Sequence, residues 1–350
     1  MTRFTRGETA FDILQPFITA CQIVLATPYK FTVESREYVL VYSKPLLLLV
    51  TVFTSFFIRC VFVVIKTSET VVGYFNGTML FKIGDWLRIY SNIVTVFVVL
   101  VGLFTNTQLY PVIFALFSDI DKNFSLLSVD KHYERIKYKP YLGLLAIMVV
   151  FHISFAINNI LANTWDSQPT FYLWVVIFIP SNLAAFYVAL YCTGVLFLDY
   201  NLDILNEELS KMSKNKRYPY VNNVYNIDQI FTNEIKKNVV MKTDQDLQLE
   251  RLTIIWTIFD AICDGVSNLN RLYGLRILTI IGVSFTSVVF NSFFVWSVYL
   301  SIMQGENTTK NYTFLIYCLE DIFISWGKVI ITVYYCNRFK KQVNYNSEII

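Results

Sequence analysis

Between Leu275 and Met303 the chain runs for 29 residues with a single charge, Arg276. A helix needs about 20 apolar residues to cross a bilayer, so this stretch commits the chain to a membrane. Just before it, Leu252, Ile255, Phe259, Ile262, Val266, Leu269 and Tyr273 alternate in steps of three and four, which lines one face of a long helix. Just after it, polar Gln304 to Lys310 leads into the sequons Asn307-Thr308-Thr309 and Asn311-Tyr312-Thr313, acceptors for N-linked sugar outside the cytosol. The chain then returns through a second apolar run, Tyr312 to Tyr335, into Arg338-Phe339-Lys340-Lys341. A helical hairpin with sugar sites at one end and basic residues at the other orients everything that precedes it.

The remainder is equally apolar. Hydrophobic residues make up 55% of the chain and charged residues 16%, against about 25% charged in soluble domains, and 350 residues give room for about six to eight spans and no large soluble domain. Residues 1–44 read as a cytoplasmic N-terminus with an interfacial helix, whose apolar face is Phe11, Leu14, Ile18, Cys21 and Leu25. Asp12, Gln15 and Pro16 interrupt that stretch, so it is not a signal peptide. Spans one to four fall within 45–198, at 45–65, 89–104, 141–161 and 171–198; the second continues past Asn106 and Pro111 as an amphipathic extension to Leu127. A cytoplasmic link and the three-four helix fill 199–274, spans five and six fill 275–335, and 336–350 is a cytoplasmic tail. The expected fold is an all-α integral membrane protein with six transmembrane helices, its N-terminus cytoplasmic and its helices extended into a cytoplasmic anchor. The assigned inner segments hold 22 of the 29 Lys and Arg residues and the outer loops four, the asymmetry expected when the N-terminus is inside. The sequons at Asn76, Asn307 and Asn311 fall outside, while Asn123-Phe124-Ser125 falls inside and reads as a chance match.

Little of this chain can do covalent chemistry. There is no Walker loop, GxGxxG, GxSxG, HExxH or CxxC, so no enzyme, cofactor, metal or nucleic-acid partner is expected. The six cysteines have no paired spacing, and the two histidines, His132 and His152, stand apart from any acidic cluster. The unusual positions are polar groups inside spans. Glu320 and Asp321 are adjacent in the last span, where an ionised carboxylate costs about 2.5 to 3.5 kcal/mol at mid-bilayer depth. Lys328 follows seven residues later, about 10 Å along a helix axis and too far for direct pairing within it. These charges imply either a wet cavity that binds a polar ligand or an interhelical salt bridge. Asn158, Asn159, Tyr172, Trp174, Asn291 and Trp296 fall at comparable depth and, with Glu320 and Asp321, are the candidate ligand pocket. The three-four face from Leu252 to Tyr273 either packs on the chain's own helices or joins subunits.

The cytoplasmic N-terminus with its pre-span helix, the short turn between spans three and four, the long cytoplasmic link, and Asn270-Arg271-Leu272-Tyr273-Gly274 leading into span five together resemble the insect gustatory receptors. These belong to the inverted seven-span chemosensory superfamily. The resemblance covers essentially the whole chain and implies a tetrameric ligand-gated cation channel in the plasma membrane of sensory neurons, responding to small-molecule tastants and contacting lipid on its outer surface. It also implies subunits joined through a cytoplasmic anchor, for which Leu252, Ile255, Phe259, Ile262, Val266, Leu269 and Tyr273 are the candidates. Segment 336–348 is similar to the family's link into its seventh span; the family's TYxxxxxQF hallmark has no counterpart before Ile350, and truncation is the expectation. The alternatives are an odorant receptor of the same superfamily, a G-protein-coupled receptor, which requires an outside N-terminus, and a transporter.

Overall fold

A computed structural model of the chain describes residues 28–34, 37–69, 79–106, 108–129, 170–215, 230–305 and 309–349, together with positions 11, 15, 18, 19, 22, 150, 153 and 157. Strands β1 (Tyr29–Glu34) and β2 (Glu37–Tyr42) form one antiparallel hairpin, with Tyr29 opposite Tyr42 and Glu34 opposite Glu37. Six helices follow among the described residues: α1 (Lys44–Thr67), α2 (Met79–Thr105), α3 (Leu109–Leu126), α4 (Phe171–Asn215), α5 (Ile230–Met303) and α6 (Thr309–Ile349).

The fold is helical as expected, and the hairpin is a local exception to it among the described residues. Tyr29, Phe31, Thr32, Val33, Tyr38, Val39, Val41 and Tyr42 are the aromatic and β-branched types that favour a pleated backbone, but strands of six residues carry a weak signal beside apolar runs of more than 20. A lone two-stranded hairpin is marginal in water, and tertiary packing holds this one. The Tyr29 ring lies 4.6 Å from that of Tyr110, and Phe31 meets Phe114 edge-on at 5.0 Å. Phe11 packs edge-on against Phe31 at 4.9 Å, and Gln22 Nε2 donates to the Tyr29 carbonyl at 2.6 Å. Leu14, Cys21 and Leu25 lie outside the described residues.

Helix α1 starts with Pro45 at a position that needs no N–H donor. It ends where Ser68, at φ 52°, turns its backbone N–H back to the Ile65 and Val64 carbonyls. Val50, Phe57, Cys60 and Val64 are buried along one face, while Leu48, Val52, Phe56 and Phe62 stay exposed on the others, as a helix bordered by lipid requires. Helix α2 begins at Met79, ten residues before the expected start of the second span at Ile89, because Met79, Leu80, Phe81 and Ile83 are apolar and Asp85 pairs with Arg88 one turn on. The chain then breaks at Asn106 before α3 begins with Leu109, instead of running on as one helix.

Helix α4 is the centre of the bundle: from Leu173 to Leu205 its apolar side chains are buried on nearly every side. Helix α5 has 74 residues, about 110 Å at 1.5 Å per residue, and continues through Gly274 without interruption. Its three-four face turns onto α3 and α4, with Ile255, Ile262, Leu269 and Tyr273 buried, Phe259 and Val266 half-buried, and Leu252 exposed. The approach is close: a Cβ on Gly265 would come within 2.9 Å of Leu198 Cδ2. Helix α6 likewise runs past Tyr335, and Arg338 and Gln342 reach Asp199 and Asp203 of α4.

Four helices, Lys44–Thr67, Lys82–Thr105, Phe171–Met212 and Gln248–Met303, are long and apolar enough to cross a membrane. Of the other two expected spans, 141–161 lies outside the described residues except at positions 150, 153 and 157. The other, within α6, is made less apolar by Glu320, Asp321 and Lys328.

Candidate functional site

Helices α2, α4, α5 and α6 surround a cleft with about 690 Å³ of space between their side chains, the part open to solvent included. Each helix contributes polar groups because of where its sequence breaks the apolar pattern: Arg88, Asn92 and Thr95 from α2, Ser181 from α4, Ser284 and Ser287 from α5, and Glu320, Asp321 and Lys328 from α6. In α4 the break is Pro180, which has no N–H to offer the Val176 carbonyl one turn earlier.

Asp321 organises one wall. Its Oδ2 accepts hydrogen bonds from Ser287 Oγ at 2.5 Å and Asn291 Nδ2 at 2.6 Å, and lies 3.8 Å from Arg88 Nη1. Asn291 also donates to the Ser287 carbonyl at 2.9 Å, which fixes the amide against its own helix. Arg88 is shared, with Nη2 3.2 Å from Asp85 Oδ1 and its guanidinium carbon 5.1 Å from the centre of the Tyr317 ring. Asp85, Arg88 and Asn291 are 0%, 6% and 0% exposed, while the Asp321 side chain is 27% exposed on the cleft, so Asp85 and Arg88 depend on mutual pairing and Asp321 keeps partial access to water. The choice between an interhelical salt bridge and a polar cavity was no choice, since the same carboxylate makes both.

Among the candidate pocket residues, Glu320 and Asp321 line the cleft, and Asn291, fully buried, stands behind it holding Asp321. Trp174 is buried one layer behind the wall, its ring 5.3 Å from cleft-lining Phe178. Trp296, 61% exposed and stacked on Tyr299 at 6.0 Å, and Tyr172, 37% exposed, face the outside of the bundle and do not line the cleft. Depth along a span is readable from sequence, but the rotation of its helix is set by packing. Asn158 and Asn159 lie outside the described residues, as do the sequon residues Asn76 and Asn307; Asn311 sits half-buried in the first turn of α6. Sequence reasoning missed Arg88, Asp85, Ser284 and Ser287. The spacing of Asp85 and Arg88 by three residues was the available signal, hidden by assigning both to a loop.

The sequence matches the 7tm chemosensory receptor family over residues 14–348. The chain belongs to that family. It is similar to two Drosophila melanogaster proteins. Gustatory receptor 28a is 20% identical over 95% of this chain and 76% of its own length; gustatory receptor 28b is 20% identical over 71% of this chain and 53% of its own length. The chain therefore spans only about half the length of the second. The family is one of receptors and not an enzyme family.

Proposed function

We propose that the chain is a gustatory-type receptor subunit whose cleft between α2, α4, α5 and α6 binds a small-molecule tastant and whose occupancy gates a cation conductance. The reading rests on one observation above the others. A buried, hydrogen-bonded charge cluster, Asp85–Arg88–Asp321–Asn291, forms the wall of an open cleft in a member of a chemosensory receptor family. Burying such charges in a bilayer costs several kcal/mol, and a cleft that must admit polar ligands is a reason to keep them. In this reading the chain crosses the plasma membrane six times from a cytoplasmic N-terminus, with the second span taken from Lys82 to Thr105 so that Asp85 and Arg88 lie within it, and the other spans and cytoplasmic segments at the boundaries given above. Asp321, nine residues and about 14 Å from Tyr312, then sits near mid-bilayer. Subunits join in homo- or hetero-tetramers through the cytoplasmic part of α5, where Leu249, Leu252 and Trp256 are exposed while the rest of the three-four face is covered by α3 and α4.

The test has two parts. In cells expressing the chain alone and with other subunits of the family, tastants should evoke a cation current that Ser181→Trp, which fills the cleft, removes without loss of surface protein. An N-terminal epitope should stain only after permeabilisation; staining of intact cells would favour the G-protein-coupled alternative. A response that survives Ser181→Trp would show that the cleft is not the tastant site.

A further inference from the structure

Lys328 forms the end of the cleft farthest from Asp321 along α6, and its side chain is 8% exposed. Among the described residues no carboxylate lies within ion-pair distance of its ammonium and no hydrogen bond ties it. The charge it faces is Asp321, but that carboxylate is already engaged by Ser287, Asn291 and Arg88, and seven residues of helix, about 10 Å, separate the two. An ammonium offers three donors and no acceptor, and burying it without a partner is expensive.

A second observation comes from the opposite wall. Ser284 is 2% exposed, lines the same cleft, and its Oγ makes no hydrogen bond. The contrast within α5 is direct, because Thr279 and Thr286 donate their hydroxyls to the carbonyls of Leu275 and Gly282 four residues back. Ser284 Oγ, in the wall of the cleft, has no such partner. Around these two donors Ile280, Val283 and Ile324 supply apolar surface, with Ser325 and Ser287 one turn away on the same two helices.

We propose, resting on the receptor reading above, that the cleft recognises compact monocarboxylates, the carboxylate held by Lys328 and Ser284 and the hydrocarbon body lying on the apolar wall. A single unpaired ammonium matches a single negative charge, and a neutral hydroxyl beside it supplies one further donor without adding charge. A cationic ligand is less well matched, since Asp321 is already taken and the other cleft carboxylate, Glu320, is itself not free.

The experiment uses the purified full chain in nanodiscs. Carboxylates from acetate to 3-phenylpropionate are titrated beside their primary amides, which keep the shape and lose the charge. At least one acid should bind about tenfold or more tighter than its amide, the scale of one charge-assisted contact. Lys328→Met should abolish the preference, Lys328→Arg should keep most of it, and Ser284→Ala should weaken acid binding a few-fold. Equal binding of acid and amide throughout, or a preference that survives Lys328→Met, would overturn the proposal. So would chloride alone, at physiological concentration, displacing every acid with no selectivity among them, because the site would then be a halide site. These failures leave the cleft as a ligand site; binding of any ligand unchanged by Ser181→Trp would remove the cleft itself. Size-exclusion profiles and the Lys328→Arg rescue separate lost recognition from lost folding.

Discussion

Two arginines are buried inside this bundle, Arg88 at 6% exposure and Arg276 at 2%, and they are neutralised by different means. Arg88 is met by the carboxylates of Asp85 and Asp321. Arg276 meets no carboxylate among the described residues. Its Nη1 donates to the Tyr110 hydroxyl at 2.9 Å, and its guanidinium carbon lies 5.9, 5.5 and 5.8 Å from the ring centres of Tyr110, Tyr187 and Tyr273. Aromatic faces attract a cation through their quadrupole while presenting hydrocarbon to everything else. Rings therefore close over a charge, whereas carboxylates bring lone pairs that themselves need donors. The Arg88 cluster accordingly recruits Ser287 and Asn291 and borders a polar cleft, while Arg276 is sealed. A cavity that shares Tyr110 and Tyr273 with the cage, with about 580 Å³ of space including its part open to solvent, is almost wholly apolar and does not include the guanidinium. A buried cation alone does not mark a site in this molecule. The difference is access: Arg88 and Asp321 line a cleft, whereas Arg276, although its Nη2 also lacks a hydrogen-bond partner, lines neither that cleft nor the apolar cavity.

The comparison breaks most directly at Arg88. Arg88→Met leaves the fully buried Asp85 without its cation beside the cleft-facing Asp321, a change that costs up to about 3–5 kcal/mol when one partner of a buried pair is removed. Thermal unfolding of the purified protein should show a large drop. Adding Asp85→Asn should restore a substantial part of it, because one of the two stranded charges is gone. If the single variant is as stable as wild type, the cluster is hydrated enough for water to replace the arginine, and the contrast with Arg276 fails.

What could be read beforehand follows the same division. Glu320 and Asp321 stood out because a charge in an apolar run is costly wherever its helix points, and the face containing Ile255, Ile262 and Leu269 stood out because its period is a property of the backbone. Neither inference needed a neighbour. Arg88 could not be assigned to Asp321 because the two are 233 positions apart and only the meeting of α2 and α6 joins them. Its placement in a loop also hid the helical spacing to Asp85. Trp296 and Tyr172 were put in the pocket from depth alone, and packing rotated both outward. The Arg276 cage was invisible for the same reason, drawing its rings from α3, α4 and α5.

At Arg276 the constraint is steric. A Cβ on Gly102 would stand 2.1 Å from Arg276 Nε, and the tyrosines leave the guanidinium little room to retreat. Gly102→Ala should cost about 1–3 kcal/mol, the scale of overpacking. By contrast Gly274→Ala, with nothing within 4 Å of the new methyl, should be neutral or stabilise the helix by up to about 1 kcal/mol. Equal melting temperatures for the two variants would mean that the cage opens readily. A smaller effect is expected of Tyr110→Phe, which keeps the ring and removes only the acceptor of the Arg276 hydrogen bond, at a cost of about 1–3 kcal/mol for a bond to a charged group, most of it relieved if the freed guanidinium reaches water. Its loss should be smaller than that of Arg88→Met, since no charge is left alone.

The smallest effect belongs to a third arginine, Arg338, whose partner Asp199 begins the polar part of α4 beyond the apolar 171–198 stretch. Arg338 Nε lies 2.7 Å from Asp199 Oδ2, with side chains 35% and 2% exposed respectively, so this pair sits between the closed sites and water. Burial pushes the Asp199 carboxyl up from its ordinary 3.8 to about 6; Arg338 pulls the other way and neighbouring Asp203 adds to the rise. Because the folded value exceeds the unfolded one, folding favours the protonated acid. The stabilisation is complete below the unfolded value and is lost as pH rises through about 6. Lowering the pH from 7 to 5 should therefore shift the difference in melting temperature between wild type and Asp199→Asn in favour of wild type, even as other carboxylates lower both. A shift in the opposite direction would mean that Arg338, and not burial, dominates this carboxyl. Asp199 would then belong with the fully paired acids around Arg88.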